Sequence, residues 1–404
     1  MIHYLGPTVG KIPLATWDQI ESAAHGGAFE ESQWVELKEM IPRGKPTNIE
    51  LARDLASLSV HGGVLIVGIK DKTCEVVGTN VQGLRDRISQ VASMQVHPPL
   101  SPVIYPDVLP PNGDLDTSIL VIEVPASPQA PHMVDGAYWG RSSNGKRKLA
   151  DPEVRDLLAA RSRTDAAFKE RLLAMVADDP VNQRVMDAPT GNGHVYLLAE
   201  PCAPVTGRAA DFDLASAVRN GVGSNPKNNV LGALSERARD PLGLAMAYPA
   251  AAEPNAERWH EDRVAYLLVR DEDSSVEFVS GGGTYFRRGG PRGEQDVEAV
   301  GTNIIIGAVR EFLELIKDLS LTHWGYTGQW RIGLHVTGLD GKPLSFSDLR
   351  FNNMTFPRDT VTSQIVTSPA TWDEGIDPVA KQILAGFLRA IGRATWDLDD
   401  VIER

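Results

Sequence analysis

The sequence predicts a mixed α/β (α+β) protein with two domains, and two observations support this. A length of 404 residues is enough for two domains of ordinary size, each with its own core. Short β-branched stretches alternate with segments whose apolar residues recur at helical spacing. We expect an N-terminal extension with a short helix at residues 1–29, a first domain at 30–163 and a second α/β domain at 164–404.

The first domain is predicted element by element from its caps and its periodicity. Thr16 and Gln19 have the spacing of a capping box, which predicts a short helix. A second capping box, from Thr47 to Glu50, predicts the start of the next helix. Strands are predicted at residues 34–40, 64–69, 103–105 and 119–124, and further helices at 81–94 and 153–163.

The second domain is less regular in sequence. Strands are predicted at residues 195–198, 264–269, 276–279 and 330–336, and helices at 303–319 and 378–391. The stretches 178–192 and 249–255 have the composition of loops. These patterns favour a second α/β unit and do not indicate its purpose.

The composition excludes several classes of protein. Hydrophobic residues make up 42% of the chain and charged residues 23%, as in an ordinary globular protein. No apolar run approaches the ~20 residues needed to cross a bilayer. Cys74 and Cys202 are too few for a disulfide framework. We therefore expect a cytoplasmic protein with reduced thiols and no membrane partner.

The formal net charge of −13 limits how the chain can bind nucleic acid. Phosphate binding depends on Lys and Arg side chains that release counterions from the polyanion. A chain this acidic is not expected to coat nucleic acid without specificity. Any nucleic-acid site must therefore be a local basic surface.

The strand at residues 34–40 carries the first side chains that suit catalysis. Strand alternation puts Val35 and Leu37 toward the core and puts Trp34, Glu36 and Lys38 on the opposite face. We expect that second face to be open, with the carboxylate of Glu36 beside the ammonium of Lys38.

Three carboxylates are expected to converge near this strand. Asp71 follows the strand at 64–69, and Glu31 precedes Glu36 by five residues. If the two strands are neighbours, Glu31, Glu36 and Asp71 can meet, and Mg²⁺ or Mn²⁺ is the natural cation to neutralise them. Such a metal would activate a water, and Lys38 would orient that water or the phosphate. The alternative is a set of solvated charges on an exposed strand.

The densest basic cluster in the chain lies beside Tyr138 and Trp139. Basic residues next to aromatic ones suit phosphate contact combined with base stacking. The alternative is a solvated β-turn with ordinary surface charges. The cluster comprises Arg141, Lys146, Arg147 and Lys148.

The segment from Gly140 to Arg147 nearly fits the phosphate-binding loop of ATPases. Arg147 stands where Ser or Thr must hold Mg²⁺, and no clear strand leads into the segment. We therefore exclude a P-loop ATPase.

Short motifs in a fixed order give these residues a family context. They are Glu31 with Val35-Glu36-Leu37-Lys38, then Leu51-Ala52-Arg53-Asp54-Leu55-Ala56, the run from Gly62 to Asp71, residues 119–127, and Gly136-Ala137-Tyr138-Trp139-Gly140-Arg141-Ser142. Together these motifs resemble the Schlafen-type AlbA domain. The resemblance implies that fold for the first domain.

The resemblance also implies an activity. In nuclease members of that family, two glutamates and an aspartate form an active site that cuts structured RNA such as tRNA. The matching positions here are Glu31, Glu36 and Asp71, and Arg141 matches a position that the family usually fills with Arg. The expected function is a metal-dependent endoribonuclease in defence or stress, and the analogy favours a homodimer. A noncatalytic nucleic-acid-binding regulator and a nucleotide-binding sensor stay open as alternatives.

Overall fold

The computed structural model divides the chain into two compact units. Unit 1 comprises Met1–Asp165 and Thr327–Gln329, and unit 2 comprises Ala166–Tyr326 and Trp330–Arg404. The structure describes residues 2–29, 32–142, 145–181, 192–203, 205, 212–221, 231, 234, 236–248, 264–287, 297–344, 354–369, 372 and 375–402. Within these ranges, nine α-helices and eighteen β-strands confirm the mixed α+β class.

Unit 1 is built on a four-stranded central sheet with the order β3-β4-β6-β5, in which β3 and β4 are parallel and the other pairs antiparallel. The strands of the unit are β1 (Ile2–Tyr4), β2 (Lys11–Pro13), β3 (Val35–Lys38), β4 (Gly63–Val67), β5 (Val103–Ile104), β6 (Leu120–Val124), β7 (Met133–Val134), β8 (Ala137–Ser142) and β9 (Gly145–Lys148). Its helices are α1 (Trp17–His25), α2 (Lys45–Leu58), α3 (Leu84–Met94) and the first part of α4 (Asp151–Ala174), with a 3₁₀ turn at Leu115–Thr117.

Both faces of this central sheet are covered. On one face, Val35 and Leu37 of β3 pack in a core with Leu14 and with Ile20 of α1. On the other face, Leu65 of β4 packs in a second core with α2 and α3. The strands β7, β8 and β9 form a separate antiparallel sheet whose members contact α2. Helix α2 therefore lies between the central sheet and this small sheet.

Unit 2 contains a seven-stranded antiparallel sheet with the order β11-β12-β13-β14-β10-β17-β18. The strands of the unit are β10 (Val195–Pro201), β11 (Glu236–Asp240), β12 (Gly243–Tyr248), β13 (Ala265–Arg270), β14 (Val276–Ser280), β15 (Thr284–Arg287), β16 (Val297–Val300), β17 (Trp330–Val336) and β18 (Val361–Thr367). Of these, β15 and β16 form a separate two-stranded antiparallel sheet. The helices of the unit are the end of α4, α5 (Leu214–Gly221), α6 (Thr302–Asp318), α7 (Asp377–Ile383), α8 (Ala385–Ala390) and α9 (Leu398–Ile402), with a π-helical turn at Leu319–Trp324.

Successive residues of β10 serve the two faces of the unit 2 sheet. Val195 and Leu197 belong to the core that contains α6. Tyr196 and Leu198 belong to the core that contains Phe168 of α4. The alternation follows from the two-residue period of a strand.

Several predicted elements are confirmed and others need correction. The predicted strand at residues 330–336 is β17, and Thr16 caps α1 by accepting the N–H of Gln19 at 3.4 Å. The capping box at residues 47–50 is wrong, because α2 begins at Lys45 with Pro46 in its first turn. Proline favours that position since its fixed φ suits a helix start.

Three further expectations concern helix length and loops. Helix α4 extends to Ala174, well beyond the predicted end at residue 163. The helix predicted at residues 378–391 is divided into α7 and α8 at Leu384. The loop predicted at 249–255 and most of the loop predicted at 178–192 lie outside the described residues.

A membrane span was not expected from the sequence. Among the helices in the described ranges, none is long and apolar enough to cross a membrane.

Candidate functional site

Glu36 lies in the middle of β3, and its side chain is buried. Across the parallel pair of β3 and β4 it stands opposite Leu65, whose core is shared with α2. Val35 and Leu37 point into the opposite core, as strand alternation predicts. The open face predicted for Glu36 is wrong, because α2 covers that side of the sheet and Glu36 is only 5% exposed.

Trp34 also departs from the predicted alternation. It precedes β3 and packs against the same core as Val35 and Leu37. Glu36 therefore does not share its face with Trp34. Lys38 does remain beside Glu36 and is half-buried.

Both carboxylate oxygens of Glu36 accept hydrogen bonds from cations. Nη2 of Arg141 donates to Oε2 at 2.6 Å, and Nζ of Lys38 donates to Oε1. Burial alone would raise the pKa of Glu36, but the charges of Arg141 and Lys38 outweigh it and hold the pKa below its ordinary value. Glu36 is therefore ionised at neutral pH.

Arg141 reaches Glu36 from β8 and is itself 4% exposed. Its Nε donates to the carbonyl of Ser32 at 3.1 Å, and its Nη2 also donates to the carbonyl of Val35 at 3.3 Å. Nη1 lies 3.5 Å from Oγ of Ser57. The guanidinium thus joins β8 to the start of β3, and its contacts are made inside the unit.

Asp54 belongs to the same group of charges, and sequence reasoning gave it no role. It lies on α2 and is 1% exposed. Nζ of Lys146 donates to its Oδ1 at 2.6 Å, and Nζ of Lys38 lies 3.5 Å from its Oδ2. Burial and the charge of Glu36 raise the pKa of Asp54, while Lys38 and Lys146 oppose that rise.

A sequence signal for Asp54 does exist. Leu51, Leu55 and Leu58 form the buried stripe of α2 at spacings of four and three residues. Asp54 falls three residues after Leu51 and so occupies a position on that stripe. A carboxylate at a core position of an amphipathic helix is costly unless it is paired, which marks it for a charged partner.

The side chains described above form one charged cluster with balanced charge. Glu50 adds a third carboxylate at its exposed rim, where Nζ of Lys146 lies 2.9 Å from Oε2. The charged cluster comprises Glu36, Lys38, Glu50, Asp54, Arg141 and Lys146.

Asp71 lies in a turn that follows β4. The turn is closed by a hydrogen bond from the N–H of Lys70 to the carbonyl of Glu75 at 3.0 Å. The exposed carboxylate of Asp71 accepts the N–H of Lys72 at 2.9 Å. Because β3 and β4 are parallel, this turn and Lys38 lie at the same end of the strand pair. Glu31, the third predicted carboxylate, lies outside the described residues.

The predicted basic cluster is located on the β8–β9 hairpin. The two terminal nitrogens of Arg147 donate to Glu153 at 2.8 and 2.5 Å, and the hydrogen bond from Arg147 lowers the pKa of Glu153 to about 2. Lys148 is exposed, and its Nζ lies 6.0 Å from the centre of the Trp139 ring. Tyr138 is half-buried. Of the predicted substrate-contacting side chains, Lys148 and Tyr138 are the ones described without an ion pair to a carboxylate.

The segment that nearly fits an ATPase phosphate loop forms part of this hairpin. Gly140 pairs with Arg147, and Ser142 pairs with Gly145, in antiparallel register. A P-loop instead connects a strand to a helix and wraps the phosphates with its backbone. The geometry of this segment therefore differs from that of a P-loop.

The fit of a divalent metal can be judged on the donor set. Carboxylate oxygens suit Mg²⁺ and Mn²⁺, and Glu36 is ionised. However, both oxygens of Glu36 are already bonded to Lys38 and Arg141. Within the described ranges, no group of three or more His, Cys, Asp or Glu side chains is arranged to hold a metal ion. The described side chains alone do not complete a metal site.

Comparison with known families identifies the domain that carries this cluster. The family model described as Schlafen, AlbA_2 matches residues 31–150, which include β3 to β9. This part of the chain is therefore a Schlafen AlbA_2 domain, as its motifs predicted. The domain indicates a function related to nucleic acid.

Comparison with individual proteins adds little. No curated protein matches the chain. Among solved structures, the crystal structure of the DIP2311 protein from Corynebacterium diphtheriae is 14% identical, with a TM-score of 0.24 over 94% of this chain and 62% of that chain. The chain thus spans less than two thirds of that protein's length. A TM-score this low carries no argument about fold or function.

Proposed function

We propose that the protein is a metal-dependent endoribonuclease that cuts structured RNA such as tRNA at its AlbA_2 domain. The observation that carries the proposal is that Glu36, only 5% exposed, lies beside Lys38, with Asp71 in the turn at the same end of the β3–β4 pair. Removing a carboxylate from water is costly unless cations and hydrogen bonds compensate for it. Buried groups whose pKa is shifted by specific charged partners concentrate at functional sites.

In this proposal, Mg²⁺ or Mn²⁺ would bind Glu31, Glu36 and Asp71, and one oxygen of Glu36 would exchange its present cation partner for the metal. The bound ion would supply an activated water and would balance the negative charge that develops on the phosphodiester. The family match begins at Glu31 and includes the other two carboxylates, which supports this set.

Lys38 and Arg141 have different roles in the proposed site. Nζ of Lys38 contacts carboxylates of both Glu36 and Asp54, so the ammonium is held beside the proposed reaction centre and is half-buried. It is the side chain we assign to orienting a phosphate oxygen or the attacking water. Arg141 positions the carboxylate of Glu36 through its contacts with Ser32 and Val35.

The β8–β9 hairpin is the surface we assign to the RNA. Lys148 and Tyr138 offer an exposed cation and a half-buried aromatic ring. Lys146 and Arg147 would reach phosphate by exchanging their present carboxylate partners. Basic and aromatic side chains together suit a strand whose bases can stack.

A second candidate function is noncatalytic binding of nucleic acid by a regulator. The observation that favours it is that both oxygens of Glu36 are paired with cations, as in a purely structural ion cluster. This alternative requires RNA binding that does not depend on the ionisation of Glu36 or Asp71.

Cleavage of purified tRNA by the full-length protein tests the two candidates. Wild type is compared with Glu36→Gln and Asp71→Asn in Mn²⁺, in Mg²⁺ and with a chelator. We expect metal-dependent cutting that falls about 100-fold or more in each variant, the scale of losing one electrostatic contact with a transition state.

The matched control is Glu39→Gln, the same chemical change at an exposed residue next to Lys38. This control should cut at the wild-type rate. Absence of cutting by wild type, together with equal RNA affinity in all four proteins, would favour the regulator and overturn the nuclease.

A further inference from the structure

A polar cavity of about 760 Å³ lies in unit 1 beyond the end of β3. Its wall begins two residues after Lys38, so it lies at the carboxyl ends of the parallel strands β3 and β4. Ligands of α/β sheets commonly bind at such strand ends. The cavity is lined by Met40, Ile41, Pro42, Arg43, Gly44, Lys45, Asn48, Thr79, Asn80, Gln82, Gly83, Leu84, Arg87 and Gln90.

The charge of this cavity is positive. Its lining contains the cations Arg43, Lys45 and Arg87 and no Asp or Glu. Arg43 and Lys45 are exposed, and neither forms an ion pair with a carboxylate among the described residues. Burial and the charge of Arg43 lower the pKa of Arg87, which shows that two guanidinium groups are close together. In a chain with a net charge of −13, this group of unneutralised cations is a local positive surface that attracts anions.

Arg87 fixes the wall of the cavity. Its Nε donates to Oδ1 of Asn48 at 2.7 Å, and its terminal nitrogens donate to the carbonyls of Ile41 and Pro42 at 3.1 and 2.7 Å. These bonds hold the segment that carries Arg43 and Lys45 against α3. The two exposed cations are therefore presented from an ordered wall.

The amide side chains and the helix starts add hydrogen-bond donors. Asn48, Gln82 and Gln90 line the cavity beside the cations. Helices α2 and α3 begin here after Gly44 and Gly83, and neither glycine supplies a side-chain cap. The partial positive charge of the first helical turns adds to that of the cations.

We infer that this cavity binds the phosphate group of a ligand of nucleotide size, which is either a free nucleotide or one unit of a nucleic-acid strand. The volume lies within the range of small-molecule sites, about 300–1,000 Å³. Phosphate is the anion that matches several cations together with amide and backbone donors. The site is distinct from the hairpin cations Lys146 and Arg147, which pair with carboxylates. Phosphate binding in this cavity does not depend on whether the domain cleaves RNA.

Binding by the full-length protein in the presence of a chelator tests this inference without cleavage. The ligands are a labelled single-stranded RNA dodecamer, ATP and inorganic phosphate. The variant is Arg43→Ala/Lys45→Ala, which removes two exposed charges and leaves Arg87 in place. The matched control is Arg155→Ala/Arg163→Ala, which removes two exposed charges from α4 in the same unit.

For the RNA, we expect the double variant to weaken binding about tenfold or more. We also expect it to reduce the slope of log Kd against log salt by about 1.4, at ~0.7 for each phosphate contact on a single strand. The control should keep the wild-type affinity and slope. A loss for the RNA alone identifies a strand as the ligand, and a comparable loss for ATP identifies a nucleotide. Equal affinity of the variant and wild type for all three ligands, or no binding by wild type, would overturn the inference.

Discussion

At the scale of a single residue, Glu36 shows how unit 1 stabilises a buried negative charge. Its carboxylate is ionised because Arg141 and Lys38 each donate to one of its oxygens. Arg141 is also bonded to the carbonyls of Ser32 and Val35. Loss of Arg141 would therefore leave a buried charge with one partner and remove a donor from each of two carbonyls.

Arg141→Met is predicted to destabilise unit 1 by about 3–5 kcal/mol, the usual effect of breaking a buried ion pair from one side. The double variant Glu36→Gln/Arg141→Met should lose less free energy of unfolding than the two single variants lose together, because it removes both charges. Urea denaturation checks both values. The control Arg147→Met breaks an exposed pair with Glu153 and should leave the midpoint unchanged. If Arg141→Met and Arg147→Met changed the free energy of unfolding equally, the buried ion pair of Arg141 would not be a special source of stability.

A second residue-scale prediction concerns pH. His132 is fully buried, with Nδ1 2.7 Å from the carbonyl of Pro98 and Nε2 2.8 Å from Oγ of Ser127. Burial lowers the pKa of His132 to about 4 from an ordinary 6.5. Between pH 4 and 6.5 the unfolded chain therefore binds more protons at His132 than the folded chain does. The contribution of the neutral, buried His132 to the free energy of unfolding is complete above pH 6.5 and is lost as the pH falls toward 4.

The stability lost through His132 should reach up to about 3 kcal/mol at the acidic end of this window. In His132→Gln, the fall in unfolding midpoint between pH 6.5 and 4 should be shallower than in wild type. His61→Gln, at an exposed histidine, should keep the wild-type pH profile. A profile for His132→Gln that parallels the wild type would count against a neutral buried imidazole.

Helix α2 is the element on which the proposed sites of unit 1 depend. Its apolar stripe packs in the core with β4, and Asp54 joins the charged cluster. Its first turn, at Lys45, lines the phosphate cavity. The helix itself and its stripe were predictable from the spacing of its leucines. Its start was not, because Pro46 allowed it to begin ahead of the more obvious capping box.

An element-scale prediction concerns the packing of α4 on the unit 2 sheet. A Cβ added to Gly333 of β17 would lie 2.7 Å from Cδ2 of Leu172 and 2.8 Å from Cε1 of Phe168. Both side chains are buried, so Gly333→Ala should force α4 to shift and cost about 1–3 kcal/mol. Thermal unfolding measures this loss.

Gly386→Ala is the matched change in the same unit. Its nearest contact would be Cγ1 of Val361 at 3.6 Å, an ordinary van der Waals distance. Since Gly386 lies inside α8, alanine there should be neutral or slightly stabilising. Similar losses at Gly333 and Gly386 would show that close packing of α4 is not the cause.

At the scale of the whole molecule, the sequence predicted the fold class and the first domain, whereas the burial of the site residues is visible only in the structure. Strand and helix periodicity predicted the mixed class, and the ordered motifs predicted the AlbA_2 domain. Strand alternation predicted which side chains of β3 face one core, but it could not predict that α2 covers the other face and buries Glu36. Burial depends on contacts between segments distant in sequence, such as the contact of Arg141 with Glu36.

The cavity to which we assign phosphate binding could not be predicted from the sequence either. Arg43 lies in the short loop before α2, Lys45 is the first residue of α2, and Arg87 lies on α3, about forty residues away. None of them belongs to a basic run, so their common placement appears only in the folded unit. The densest run, on β8–β9, is instead partly neutralised by Asp54 and Glu153.

We propose that this protein cuts RNA with a divalent metal. The most direct measurement is the rate at which wild type cleaves tRNA after the metal has been removed by a chelator and Mn²⁺ is then added back in steps. We expect no cleavage in the chelated protein and a rate that rises and saturates with Mn²⁺, while the rate of Glu36→Gln stays lower by about 100-fold or more throughout. Cleavage by wild type that persists in the chelator would contradict the proposed metal-dependent mechanism. Cleavage by Glu36→Gln at the wild-type rate would also contradict it.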